Sequence, residues 1–352
     1  MDSVERVETV LRGAIPDRVP VDLHNFLMAA QASGLPFPEF LQNGEAMAEC
    51  HLQLWREFGH DVLILENGTT ALAEACGCQV EYLSGSAPVL IRPALRSLDD
   101  LDRLTLPDFN RAHPLDQNLK ATRIVTKAAG RGACVIGRAD QGPFSLAAML
   151  LGMDTFLLAL ADPEQHRRLH ALLAFALEAV YGYAVAQSEH GAHMTSIGES
   201  LSGPDVTSPR MYREFEWRYA CRLVERLNAK NIPLAYHICG NATRIVPDMA
   251  ATGAAVLELD YKCDLPKIKA ATQGVTTILG VIDPSGVLAL GTPQLVTEKV
   301  REELSILAPG GGLILGPGCA LPPLTPHENI HALVETAHRN GRYRPDGQLE
   351  GA

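Results

Sequence analysis

Aromatic residues are scarce, at 5% of the chain, so its core must be packed mainly by Leu, Val, Ile and Ala. Basic charge is scarce too: 30 Lys and Arg face 41 Asp and Glu, for a net charge of -11. This balance argues against nucleic acid or an anionic membrane surface as a partner, since both need clustered cations. The longest apolar stretch, Leu146 to Ala161, is interrupted by Asp154 and is too short to span a bilayer. The N-terminus, Met1-Asp2-Ser3-Val4-Glu5-Arg6, is charged and precedes no apolar signal region, so a cytoplasmic protein is expected. Eight cysteines in 352 residues do not make a disulfide framework and read as free thiols, a minority of them available to a metal. There is no Gly/Ser linker, and no Gly-x-Gly-x-x-Gly opens an early helix, which leaves dinucleotide binding without support.

What the sequence does have is a recurrent apolar pattern. Short runs rich in Val, Ile and Leu lie at 19–23, 61–65, 133–137, 193–197, 233–237, 255–259, 277–281 and 312–315. Most are continuously apolar, as strands of a parallel sheet covered on both faces are. Helical patterns separate them, among them Gly44–Phe58, Arg210–Lys230, Pro293–Leu307 and Pro326–Asn340. Eight strand-like runs alternating with helices predict a (β/α)8 TIM barrel with an N-terminal extension; a doubly wound open sheet is the alternative. One barrel domain is expected over 1–342, with an insertion around 66–132 that adds a hairpin or helical layer. A flexible tail is expected over 343–352.

In a barrel, chemistry gathers where the strands end. The runs end near Asp22 and His24, then Glu66, Asp140, Glu199, His237-Ile-Cys239, Glu258 with Asp260, Asp283, and Gly316-Pro-Gly-Cys319. His237 and Cys239, two apart on a strand, point to the same side. Cys319 ends the last strand, across the same mouth. One nitrogen and two sulfurs suit Zn²⁺ with a fourth position left open, which is the mark of a catalytic site. The competing reading is that a His-x-Cys pair arises by chance and that cysteine is often a small buried hydrophobe. Cys50, Cys134, Cys221 and Cys263 take that plainer reading. Cys76 and Cys78 read as packing in core or loop, and His166 with His170 as a solvated helix face.

Several segments together carry a resemblance. They are Tyr236-His-Ile-Cys-Gly240, Gly280-Val-Ile-Asp-Pro284, Gly291-Thr-Pro293, Gly311-Gly-Leu-Ile-Leu-Gly-Pro-Gly-Cys319 and Thr325-Pro-His-Glu-Asn329. With Asp61–Val80 and Asp205–Phe215, they resemble the uroporphyrinogen-decarboxylase-like superfamily, and within it the zinc-containing corrinoid-linked methyltransferases. The resemblance implies a (β/α)8 barrel and zinc held by His237, Cys239 and Cys319. It implies methyl transfer between a corrinoid and a thiol, or from a methyl ether or similar small methylated substrate. The chain has no Asp-x-His-x-x-Gly corrinoid-binding segment, so the cofactor is expected on a partner corrinoid protein that docks transiently.

Decarboxylases of this superfamily carry an arginine-rich N-terminal segment for substrate carboxylates. Here Arg18-Val-Pro-Val-Asp-Leu-His-Asn-Phe-Leu-Met28 has no arginine after Arg18, which weakens that alternative. A non-catalytic barrel subunit is the other alternative. Glu199, Asp140 and Glu258 are the candidate catalytic carboxylates, to orient substrate or move a proton, with Glu258 and Asp260 placed to reach the zinc at rest.

Overall fold

The computed structural model describes residues 1–66, 68–83 and 87–350. Its strands are β1 (Val62–Leu65), β2 (Gln79–Glu81), β3 (Val89–Arg92), β4 (Cys134–Gln141), β5 (Met194–Gly198), β6 (Leu234–Ile238), β7 (Val256–Leu259), β8 (Thr277–Ile282) and β9 (Leu313–Pro317). Seven form one parallel sheet in the order β1-β4-β5-β6-β7-β8-β9. The first apolar run closes it. Val21 bridges Leu315 on one side and Asp22 bridges Val62 on the other, both parallel. This bridging joins the two outermost strands into a barrel and removes the open-sheet alternative. The run at 19–23 forms these bridges instead of a full strand; Pro20, on the edge of this run, has no N–H to give to a ladder.

Inside the barrel, alternate residues of each strand point inward. The lower layer is apolar: Val62, Ile64, Cys134, Ile136, Met194, Ala235, Val256, Leu279 and Ile314, stoppered by Val7 of the N-terminal helix Ser3–Leu11. Cys134 is thus a buried hydrophobe. The next inward positions up the strands are Glu66, Arg138, Ser196, His237 and Glu258, all buried and polar. The outer faces of the strands pack under the surrounding helices in one large apolar cluster.

Helices Gly44–Phe58 and Pro293–Leu307 have the expected bounds. The pattern over 210–230 resolves into a π-helical turn, Tyr212–Trp217, followed by helix Arg218–Asn228. The apolar stretch 146–161 lies within two helices, Pro143–Leu151 and Met153–Ala161, bent by 112°. Helix His166–Glu189 has the length and apolarity to cross a membrane, but 56% of that window is buried, and it packs on β4.

The stretch after β1 holds the short helix Ala71–Ala75, the antiparallel β2–β3 hairpin and the 3-10 turn Leu98–Arg103, before helix Leu115–Ala129 returns to β4. The segment 343–350, expected as a flexible tail, folds back on the barrel. Tyr343 is buried and donates to Ala308 O at 2.9 Å, and the Arg344 and Glu350 amides bond back to Gln348 and Arg342. An apolar anchor at each end of the turn, Tyr343 and Leu349, gives this short segment enough burial to stay docked.

Candidate metal centre

Residue 237 is the last inward position of β6, and Cys239 follows one pleat higher. The chain turns sharply at Gly240, whose φ of 81° favours glycine, and a Cβ there would run into the Asp205 carboxylate. Its amide donates to Asp260 Oδ2 at 2.8 Å, which fixes the turn. Cys319 enters from just beyond β9. Ligand atoms of His237, Cys239 and Cys319 all lie within 4.8 Å of one another, and no fourth such residue joins them among the described residues.

The imidazole is oriented for this role. His237 Nδ1 donates to the Glu258 carbonyl at 3.0 Å, which leaves Nε2 facing Cys239 Sγ at 3.0 Å. A metal-binding histidine is commonly fixed in this way, by a bond from its other nitrogen. Zinc takes sulfur at about 2.3 Å and nitrogen at about 2.0 Å, so ligand atoms this close together fit one ion. The two thiols are strongly coupled. Hydrogen bonding to Cys319, helped by His237, pulls the Cys239 thiol down, and the same partnership with burial pushes Cys319 up. One proton shared between two adjacent sulfurs is the arrangement a soft divalent cation displaces.

Beneath the triad is a buried charge network that joins His24, Glu66 and Glu258, each expected at a strand end, to Arg138, which the sequence did not point out. His24 Nδ1 lies 2.9 Å from Glu258 Oε1, and its Nε2 lies 2.9 Å from Glu66 Oε2. Arg138 completes it, 3.4 Å from Glu258 Oε2 and 3.7 Å from Glu66 Oε2. Burial opposes charge on His24, but the two carboxylates raise it to about 10. Burial alone would raise Glu258, yet His237, His24 and Arg138 hold it well below the usual carboxylate range. Two cations and two anions balance, as buried charges must. The available signal was periodicity: Glu66, Arg138 and Glu258 each sit two residues beyond an inward apolar residue, at Ile64, Ile136 and Val256.

The candidate carboxylates divide. Asp140 lies at the rim end of β4 with a φ of 66°, and burial lifts it to about 7. Its Oδ2 accepts the Leu72 amide at 2.8 Å, while Oδ1 has no partner. Glu199 is turned to the backbone. Its oxygens accept the Phe144 and Ser145 amides at 2.9 and 2.8 Å, satisfying the N-terminus of helix Pro143–Leu151. Burial raises both Glu199 and the neighbouring Glu216, and Glu199 pushes Glu216 up further, so the proton shared by the two acids rests on Glu216. Glu258 lies beside the triad, but its oxygens are spent on His24 and Arg138. Asp260 caps its own turn through Gly240 and Lys262. Neither is free to serve as the resting fourth ligand, because each would strand a buried donor.

The N-terminal arginines sit at the opposite end of the barrel. Arg18 pairs with Asp61 at 2.6 Å, and Arg6 with Asp17 and Asp61 at 2.6 and 2.7 Å. Arg138 is the inward-facing arginine at the site, and Glu66 and Glu258 already engage it.

The sequence profile of the uroporphyrinogen decarboxylase (URO-D) family matches residues 2–340. The chain belongs to this family. A methylcobamide:CoM methyltransferase, MtbA, of Methanosarcina acetivorans is 30% identical over 350 residues, 96% of this chain and 98% of its own. The MtaA methyltransferase of Methanosarcina barkeri is 28% identical, covering 94% and 95%. A uroporphyrinogen decarboxylase of Coxiella burnetii is 27% identical over 85% and 82%. Among solved structures, a methyltransferase from Methanosarcina mazei superposes with a TM-score of 0.86 at 26% identity, covering 96% of this chain and 99% of that one. The resemblance read from the sequence, to the methyltransferase branch of this superfamily and its barrel, is borne out.

Proposed function

We propose that this protein is a corrinoid-linked methyltransferase whose metal centre is His237, Cys239 and Cys319. The observation that carries the reading is the triad itself: one oriented imidazole nitrogen and two adjacent thiols at a barrel mouth, with no fourth protein ligand among the described residues. The donor set fits zinc, and three ligands leave a place for substrate. Zinc there would keep a substrate thiol deprotonated at neutral pH, or polarise the leaving oxygen of a methyl donor.

The chain's own residues do the rest. His24, Glu66, Arg138 and Glu258 form a charge-balanced floor that holds His237 in register. Asp140, lifted to about 7 with Oδ1 unpartnered, accepts at that atom the proton a binding thiol gives up, or donates one from it to the oxygen of a leaving alcohol. Arg18, the arginine of the N-terminal segment, is spent on Asp61 at the opposite end of the barrel, which disfavours a polycarboxylate tetrapyrrole as substrate. The corrinoid comes from a separate corrinoid protein that docks transiently over the rim, as the full-length likeness to methylcobamide:CoM methyltransferases supports.

The test is metal analysis of the purified protein together with methyl transfer from methylcobalamin, free or on a corrinoid protein, to a panel of thiols, and the reverse reaction with methyl ethers. About one zinc per chain and faster turnover with the corrinoid protein are expected. No metal, or no methyl exchange with any substrate, overturns the reading in favour of a non-catalytic barrel.

A further inference from the structure

Ser200 is not among the three metal-site residues, yet its Oγ lies 3.2 Å from Cys239 Sγ. Several contacts hold it there. The Glu199 amide donates to His237 O at 2.7 Å, which ties the end of β5 to β6. The Glu199 carboxylate is anchored on the Phe144 and Ser145 amides. Ser202 Oγ donates to Glu199 O at 3.0 Å, closing the 3-10 turn Ser200–Ser202. Ser200 is therefore fixed on both sides, and its hydroxyl is presented to the sulfur by the backbone. A hydroxyl beside a metal-bound thiolate donates to it, since a coordinated thiolate carries no proton and only accepts.

We infer that Ser200 is a positioning residue of the metal centre: its hydroxyl donates to Cys239, aims that sulfur at the ion and withdraws charge from it. The inference rests on the proposed metal centre. It gives the buried Glu199 a purpose, because the carboxylate that caps helix Pro143–Leu151 also sets the residue after it against the ligand. Withdrawing charge from the sulfur leaves the ion more electron-poor, which favours activation of a bound thiol or leaving oxygen.

The experiment uses the full chain loaded with Co²⁺ in place of zinc, comparing wild type with Ser200→Ala and Ser200→Thr. Thiolate-to-cobalt charge-transfer absorption reports the charge on sulfur directly. Ser200→Ala is expected to move that band to longer wavelength, weaken zinc binding about tenfold and lower kcat with little change in KM for the substrate. Ser200→Thr, which keeps the hydroxyl, should restore the band. A band unmoved in Ser200→Ala, or moved equally in both variants, overturns the inference while leaving the metal centre intact. Wild type that takes up no cobalt and shows no thiolate absorption overturns the metal centre itself, and the inference with it.

Discussion

The lower and upper layers of the barrel interior are built from the same strands, two residues apart, and behave as different materials. Ile64, Ile136 and Val256 fill the lower layer by shape alone. Glu66, Arg138 and Glu258, the next inward positions, hold one another by charge. The lower layer satisfies itself by excluding water and tolerates exchange of similar volumes. The upper layer is buried as deeply, so each charge there depends on every partner being present. A site assembled on such a floor is rigid without being a stability centre. The ligands themselves sit above it and contribute little to the packed core.

The largest expected effect tests that last point. Replacing both Cys239 and Cys319 by Ala should reduce bound zinc to near zero and methyl transfer by more than about 100-fold. The barrel should stay folded, with its far-ultraviolet circular dichroism unchanged. Loss of fold in step with loss of metal would place the triad with the structural layers instead.

Glu258→Ala should follow in size. It leaves the buried His24 and Arg138 only Glu66 to balance them, at a cost of about 3–5 kcal/mol in urea unfolding, and removes the carboxylate beside the His237 ring. Both stability and metal affinity should fall. A variant as stable as wild type would show that the upper layer is not held by charge.

Ile136→Ala makes the matching cut in the lower layer. A cavity there should cost about 2–5 kcal/mol, with zinc content at wild-type level. Loss of zinc from this variant would erase the distinction between the layers.

The upper layer should also respond to pH, where the lower layer has nothing to titrate in the same range. The folded pKa of His24, about 10, lies above the ~6.5 of a free imidazole, so its ion pairs stabilise fully below about pH 6.5. That contribution is lost as pH rises toward 10. Urea midpoints of wild type and Ile136→Val should fall in parallel over this window, and His24→Gln should flatten the slope. An unchanged slope in His24→Gln would assign the titration elsewhere.

Much of this protein was written along the chain. Continuous apolar runs separated by amphipathic helices dictate strands buried on both faces, and seven of the eight expected runs are strands of one parallel sheet. The alternation of side chains on a strand puts His237 and Cys239 on one side, and the motif around Cys319 named its partner. These are local facts, fixed by a strand's period of two and by the identity of neighbouring residues.

Other features were decided only when the barrel closed. Nothing near Val21 in sequence says that it will bridge Leu315, or that Arg18 will pair with Asp61 at the end of the barrel opposite the site. Glu199 and Glu258 look alike as acids at strand ends. One is spent on a helix N-terminus and the other on His24 and Arg138, because their partners come from segments 54 to 234 residues away in the chain. A carboxylate's role is set by which donors burial brings within reach, and that depends on contacts distant in sequence. Local pattern determined the ligands and the strands, and tertiary packing decided which charges would serve them.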